Sequence, residues 1–486
     1  MAMTYDVCVA GGGSGGFGAA LAAARAGLRV LLIERDERLG GTSVQAGVNC
    51  WEPCVGGTGI PFDLYRRLKQ IPDAVGIYSY GRHGCWYREG RDPFRYPGGE
   101  SVIDPALRYR DTLLRHGCRG IHESEDFYRR FLHGIPFEPD AMAATMHAML
   151  VETGCCEVIL NTRVRGVDHR DGRIRQLSLD SGRTVEAAYV VDATGNADLC
   201  RAAGCEMLTG QEPRAQFGES GAPDQPTRRM NGVTLVYRVN RSSDVGVEPL
   251  PPDVPADCWW RGTFPSACIN HYPCGDLNIN MLPTMEGLEF AEFGYANAHR
   301  ECTRRVRAHW HYLQSTFEEF RDFVLSWIAP RIGVREGPRV RCETVLTQHD
   351  LMQGIHRQPQ DDIIALNDHP MDTHGESTGR AGCRYLETPY GIPYRCLIPK
   401  GFGNLLAACR GAGFTSIAAS SCRLSRTMMQ LGQAAGTAAA LAVKQQVALP
   451  GVPAADLRQA LRDQHAQVDW PTPDDLVLHL TREDPD

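Results

Sequence analysis

The sequence predicts an α/β protein: a sheet flanked by helices, interrupted by a second, α+β unit. Three observations lead there. A short apolar run, a glycine-rich turn, an Ala-rich stretch and a second apolar run ending in an acid follow one another between Tyr5 and Glu34. Alternating, strand-like runs later lead into VVDATGNAD, Val190 to Asp198. Near the other end, Asn404 to Cys409 reads as a strand and Met428 to Val443 as a helix lined with Gly and Ala. Apolar periodicity breaks off soon after Cys205, so the sheet is expected to be assembled from separated stretches.

Each element has its own reason. Tyr5 to Ala10 is apolar throughout, as suits a strand buried on both faces. Gly11, Gly13 and Gly16 then fit G-x-G-x-x-G. The first glycine makes the tight turn, the second lets a pyrophosphate approach the backbone, and the third lets the helix pack on the strand. Phe17 to Ala26 is the helix, and its N-terminus offers N–H groups to phosphate. Gly27 ends it. Arg29 to Ile33 is the second strand, finishing at Glu34, where an acid can hold ribose hydroxyls. Ile159 to Val167 and Arg173 to Leu179 alternate like strands, with Asp171-Gly172 and Ser181-Gly182 as hairpin turns. Gly210 to Arg229, rich in Gly, Pro, Gln and Arg, reads as a mobile loop or lid. Asn231 to Val239 alternates like a strand. Phe290 to Pro330 carries long helical periodicity, with Phe317, Phe320, Phe323 and Trp327 on one side. Pro450 to Asp486 is a Pro- and Asp-rich tail around one helix, with no chemistry assigned.

Composition sets the bounds. At 486 residues, with 43% hydrophobic and 22% charged residues, the chain has the make-up of a globular protein. A net charge of -7 argues against nucleic acid or an anionic membrane as partner. No run reaches the roughly 18–20 unbroken apolar residues of a membrane helix. MAMTYDVCVAGGG has no basic n-region, so a cytoplasmic location is expected. The 18 cysteines are scattered mostly singly, as free thiols would be.

Gly40-Gly41-Thr42 follows Glu34 closely. Here the chain resembles FAD-binding proteins of the glutathione-reductase fold, which carry such a turn near the flavin's phosphates. The A-T-G of VVDATGNAD resembles the strand end that returns the chain to the nucleotide in that superfamily. With the last segment, YGIPYRCLIPKGFGNLLAACRGAGFTS, the whole is similar to the bacterial FAD-dependent oxidoreductase family. The resemblance implies FAD as cofactor. It implies a discontinuous FAD domain at 1–60, 137–205 and 390–446, a substrate or cap domain at 61–136 and 206–389, and a tail at 447–486. It also implies cofactor contacts from Gly11, Gly13, Ser14, Gly16, Glu34, Arg35, Gly41, Thr42, Ser43, Val164, Ala193, Thr194, Gly195, Arg410, Met429 and Gln430, with Val164 at the adenine. The helix beginning near Met428 is expected to point its positive end at the flavin ring.

GGTSVQAGVNCWEPC raises the question of a redox disulfide. In disulfide reductases of this fold the cysteines follow the GGT turn at places held here by Ser43 and Val48. Cys50 and Cys54 lie beyond them, and no second G-x-G-x-x-G is present for NAD(P)H. Two free thiols near the flavin or a dimer surface are the expectation. Cys155-Cys156 and His309-x-His311 are read as incidental, and no metal site is expected.

For a base, LNDHPMDTHGES offers Asp372 and His374, two apart and so facing one way on an extended chain. An Asp could orient an imidazole suited to proton transfer. A solvated surface loop is the competing reading. Tyr394 and Arg395 are candidates for binding substrate oxygens or the flavin, and His271 is an alternative base. Arg331, Arg335 and Glu336 read as a buried ion pair. The expected function is FAD-dependent dehydrogenation, as dehydrogenase or oxidase, of a small polar substrate by hydride transfer to flavin N5. The electron acceptor is open, and a homo-oligomer is possible. The alternatives are a flavin monooxygenase, whose D-G signature is missing from the last segment, and a flavin-fold binding protein without turnover.

Overall fold

The structure is a computed structural model that describes residues 3–79, 103–113, 132–243, 246–254, 267–375, 378–379 and 382–484. Its core is a seven-stranded mixed sheet. The strands are β1 (Met3–Ala10), β2 (Val30–Ile33), β3 (Cys156–Ile159), β4 (Val164–Arg170), β5 (Arg173–Leu179), β6 (Thr184–Asp192) and β7 (Leu405–Ala407). They run in the order β3-β2-β1-β6-β5-β4, and β7 also pairs with β6. The pairs β3/β2, β2/β1, β1/β6 and β6/β7 are parallel, whereas β4/β5 and β5/β6 are antiparallel. Strand β6 forks on the side away from β1: Thr184 and Val185 pair with β5, and Val190 to Asp192 with β7.

Two helices cross over this sheet. They are α1 (Ser14–Arg25), buried but for its two ends, and α2 (Ser425–Gln445), buried from Arg426 to Ala439. Their small residues let the backbones touch. A Cβ on Gly432 would lie 2.0 Å from the Gly15 carbonyl oxygen, and one on Gly436 would lie 2.2 Å from that of Ala19. Helix α2 starts three residues before the expected Met428, because the turn that leads into it ends at Leu424. Val7–Ala10 of β1, all of β2 and Tyr189–Asp192 of β6 are buried on both faces, as a covered parallel sheet requires.

The inserted unit is built around a four-stranded antiparallel sheet of Ala267–His271, Leu277–Met281, Tyr237–Arg241 and Phe323–Ile328. Helix Tyr295–Thr316 packs on it through Ala298, Cys302, Val306, Trp310 and Leu313. This corrects the reading of Phe290 to Pro330 as one helical stretch. Gly294, at φ 68°, breaks the helix early, and Phe317 leaves the helical region. Phe323 and Trp327 then sit on a strand paired to Tyr237–Arg241. The strand expected over Asn231 to Val239 forms only from Tyr237. Ile159 to Val167 is two strands, because Asn161 takes φ 52° and stops the ladder.

Gly210 to Arg229 is not an unanchored lid. Gln211 and Thr227 exchange backbone hydrogen bonds at 3.0 and 3.1 Å. Buried Glu212 accepts from Arg339 Nη2 at 2.6 Å, and buried Glu219 accepts from Thr415 Oγ1 at 2.6 Å. The tail holds two helices, Ala454–Asp463 and Asp474–His479, rather than one. Leu457, Leu461 and Val468 join the core. Residues 80–102 and 114–131 of the expected cap lie outside the described residues.

No helix among the described residues is long and apolar enough to cross a membrane. No cluster of three or more His, Cys, Asp or Glu there could hold a metal.

Candidate active site

A cavity of about 480 Å³ opens where the C-terminal ends of the parallel strands meet the inserted sheet. Ala10 and Gly11 at the end of β1, Ile33 and Glu34 at the end of β2, Ala193 after β6 and Cys409 after β7 all line it. Ligands collect at this edge of open α/β sheets because the loops there are free to vary while the strands hold them. Gly13, Ser14, Arg35, Gly41, Thr42, Val164, Thr194, Gly195 and Arg410 line the same cavity. Gly11 has φ +100°, and a Cβ there would lie 2.4 Å from Ala193 O. Glu34 is buried. It accepts from Gly12 N at 2.5 Å and Asp36 N at 2.9 Å, and burial raises its pKa.

Four of the residues expected at the cofactor do not line the cavity. Gly16 packs α1 on the turn, since a Cβ there would strike Gly11 O. Ser43 Oγ meets Ser425 Oγ at 2.9 Å, joining the Gly41 turn to the start of α2. Met429 turns inward, with its backbone against Gly18, and Gln430 lies against Gly56. Ser425, Arg426 and Met428 are the residues of α2 that face the cavity.

Among the catalytic candidates, Asp372 and His374 both line the cavity, and His374 Nε2 donates to Asp372 Oδ2 at 2.6 Å. The reading of this segment as solvated surface is corrected, since Asp372 is 8% exposed. Asp372 also accepts from Arg423 Nη2 at 3.1 Å and Cys383 Sγ at 3.0 Å. Burial alone would raise the Asp372 pKa, but His374 and Arg423 outweigh it and hold the carboxyl well below its usual range. Burial, then the charges of Arg335 and Arg423, pull His374 down to about 4 against the opposing pull of Asp372. At neutral pH the imidazole is therefore neutral, with its proton on Nε2 and a lone pair on Nδ1. A backbone bond from His374 N to Asn231 Oδ1 at 2.8 Å fixes the loop, and Asn231 is held in turn by Glu336.

Tyr394 and Arg395 lie elsewhere. Tyr394 is buried, its hydroxyl donating to Leu449 O at 3.1 Å, and Arg395 pairs with Asp362 at 3.4 Å and Glu343 at 3.6 Å. His271 ends a strand of the inserted sheet and does not line the cavity, although Cys268 and Asn270 on that strand do.

The ion pair expected among Arg331, Arg335 and Glu336 does not form. Arg331 pairs with Asp36, and Glu336 with Arg339 at 3.0 Å, while Arg335 turns into the cavity. Sequence reasoning also missed Arg423, Glu52 and its partner His369, 2.7 Å away. Glu52 stood inside the quoted cysteine stretch, but nothing local marks Arg423. Cys50 and Cys54 are buried and line the cavity, and Cys50 Sγ lies 3.6 Å from Tyr78 OH. His309 Nδ1 meets Tyr237 OH at 2.8 Å, which is core packing.

The cavity suits a polar dinucleotide. The N-termini of α1 and α2 both open onto it, and neither has a side-chain cap. Gln45 Nε2, Asn49 Oδ1 and Arg410 Nε are buried there with no hydrogen-bond partner among the described residues. The family model described as FAD dependent oxidoreductase matches residues 6–461.

The chain belongs to that family.

This oxidoreductase is an enzyme whose cofactor is FAD. Among solved structures it is similar to a geranylgeranyl bacteriochlorophyll reductase-like protein from Thermoplasma acidophilum, at 14% identity, covering 99% of this chain and 96% of that one, with a TM-score of 0.42. It is also similar to p-nitrophenol 4-monooxygenase PnpA from Pseudomonas putida, at 14% identity, 68% of each chain and a TM-score of 0.37. A third similar structure is L-amino acid deaminase from Proteus myxofaciens, at 11% identity, 92% and 91% coverage and a TM-score of 0.39. Likeness at these identities and scores carries no inference about the reaction.

Proposed function

We propose that this flavoenzyme oxidises a small polar substrate, with His374 as the base that takes the substrate proton. The observation that supports this is the His374–Asp372 pair in the wall of the cavity. FAD, when bound, supplies the redox chemistry by accepting two electrons. The chain's residues do the rest. The start of α1, with Gly11, Gly13 and Ser14, would hold the pyrophosphate, and Arg410 would add positive charge. Glu34, Arg35 and Val164 would hold the adenosine end. Gly41, Thr42, Gln45 and the start of α2 would hold the ring end. Asp372 holds the Nε2 proton of His374, so the Nδ1 lone pair receives the proton lost by the substrate. The discontinuous domain division, with segments 1–60, 137–205 and 390–446 forming the FAD unit, is part of the same proposal.

Hydroxylation with NAD(P)H and oxygen is the second reading. Among the similar structures, PnpA is named a 4-monooxygenase and PqsL, from Pseudomonas aeruginosa, a probable FAD-dependent monooxygenase, at TM-scores of 0.37 and 0.36. One experiment separates the two. The FAD-loaded protein is mixed anaerobically with a panel of small acids, alcohols and amines while flavin absorbance is followed. Bleaching by a panel member supports dehydrogenation. Bleaching only by NAD(P)H, with oxygen incorporated when air is admitted, supports hydroxylation. No bleaching by either removes both.

A further inference from the structure

We propose that the substrate carries a carboxylate and that Arg335 binds it. The inference rests on the oxidative reading above and names the substrate class for that site. Arg335 lines the cavity beside Asp372, His374 and Arg423. Its Nη1 donates to Gly232 O at 3.1 Å and to Thr234 Oγ1 at 2.7 Å, both neutral acceptors. No carboxylate lies within ion-pair distance of it among the described residues. Three other guanidinium groups of the lining are occupied, and Arg410, which the reading above gives to the cofactor, bonds Asn196. Arg331 has Asp36, and Arg423 has Asp372. Arg426 Nη1 and Nη2 go to Thr112 and to the Glu52 carbonyl. The nearby carboxylate that could serve Arg335 is Asp372, which already receives His374, Arg423 and Cys383.

A partly buried guanidinium, beside a second guanidinium and with no carboxylate in ion-pair distance among the described residues, costs free energy. Burial, then the charge of Arg423, pull the Arg335 pKa down to about 9. A negative group entering the cavity relieves this. A carboxylate fits the remaining donors best, because two parallel N–H···O bonds match the planar fork of arginine. Thr234 and Gly232 pin one nitrogen and so fix the direction in which the others point. A carboxylate anchored there would be held among the groups that also surround His374.

The test uses the FAD-loaded protein and three probes, acetate, pyruvate and benzoate, each against its neutral amide. Binding is read from the perturbation of the bound-flavin spectrum and by calorimetry. At least one acid should bind, with its amide tenfold weaker or more. Arg335→Met should weaken that acid by about 30-fold or more, the scale for removing one partner of a buried charge pair, and Arg335→Lys should keep part of the affinity. FAD content and melting temperature should match the parent, and Arg335→Gln replaces the Met variant if that one does not fold. Amides that bind as well as acids, unchanged acid binding in Arg335→Met, or failure of all three acids to bind would each overturn the inference. So would loss of FAD from a folded Arg335→Met protein, which would put the arginine on the cofactor. Acid binding that depends on Arg335, in a protein whose flavin no substrate bleaches, keeps this inference and removes the oxidative function. Bleaching by a neutral substrate, equally fast in Arg335→Met, does the reverse.

Discussion

His374 has its protonation state decided before any substrate arrives. Burial and two nearby guanidinium groups favour the neutral ring, and its pKa falls to about 4. A base of this kind stays active across the neutral range and is lost only as pH falls through its pKa. The rate of flavin reduction should therefore be flat from about pH 6 to 8 and drop below about pH 5, which stopped-flow absorbance across pH would check. A rise centred near 6.5 would mean that the ring is not in this field. His374→Ala should slow reduction by roughly 10²–10⁴-fold with FAD content unchanged, and Asp372→Asn should cost less. The glycines of the turn separate binding from folding in the same way. A Cβ on Gly13 meets nothing nearer than Gly41 Cα at 3.8 Å, so Gly13→Leu should fold yet lose FAD, seen as colourless protein with a normal melt. Gly11→Ala must strain φ and strike Ala193 O, so it should lower the melting temperature itself. The Asp372–His374 pair was legible because residues two apart on an extended strand share a side. Arg335 was misread because PRIGVRE offers a carboxylate next door, and sequence cannot show that Glu336 turns to Arg339 instead.

At the scale of elements, the contact of α1 with α2 sets how tightly the site is closed. Glycines at 15, 18, 432 and 436 bring main chain against main chain. Overpacking such a contact typically costs about 1–3 kcal/mol, because rigid backbone must move. Gly436→Ala should lose roughly that much in a denaturant titration of the FAD-loaded protein, although the residue is remote from the cavity. An unchanged midpoint would show that the helices can slide apart freely. The Gly- and Ala-rich lining of α2 announced close packing, and the strands around it were readable for the same reason: they are apolar and short. Phe323 and Trp327 misled because a spacing of three and four residues fits a helix, while pairing with Tyr237–Arg241 is a long-range fact that no local window contains.

For the whole molecule, the tail is structural. Gln467 N donates to Thr58 Oγ1 at 2.7 Å, and Gly56 N donates to Gln467 Oε1 at 3.2 Å. These bonds brace the loop that follows Cys50 and Cys54. Arg458 adds bonds to Val468 O at 3.2 Å and Asp469 at 2.6 Å. Ending the chain at residue 449 would uncover Leu457's partners in the core and free that loop. The shortened protein should melt at least several degrees lower and hold FAD more weakly, as calorimetry would read. The sequence showed one helix in a Pro- and Asp-rich tail but not this bracing, because composition does not show which of its few apolar residues find a core.

The fork in β6 sets an order of events during synthesis. One prong is filled by β5, a close neighbour along the chain, but the other waits for β7, more than two hundred residues later, and the wall beyond it waits for α2. Until those last segments leave the ribosome, the nascent chain has half a nucleotide site, and the apolar edge of β6 has no cover. Loading of the flavin must then follow translation rather than accompany it, and chaperones have a long interval in which to meet that edge. Chains stalled on the ribosome before residue 400 should carry no flavin fluorescence, whereas chains released at full length should acquire it.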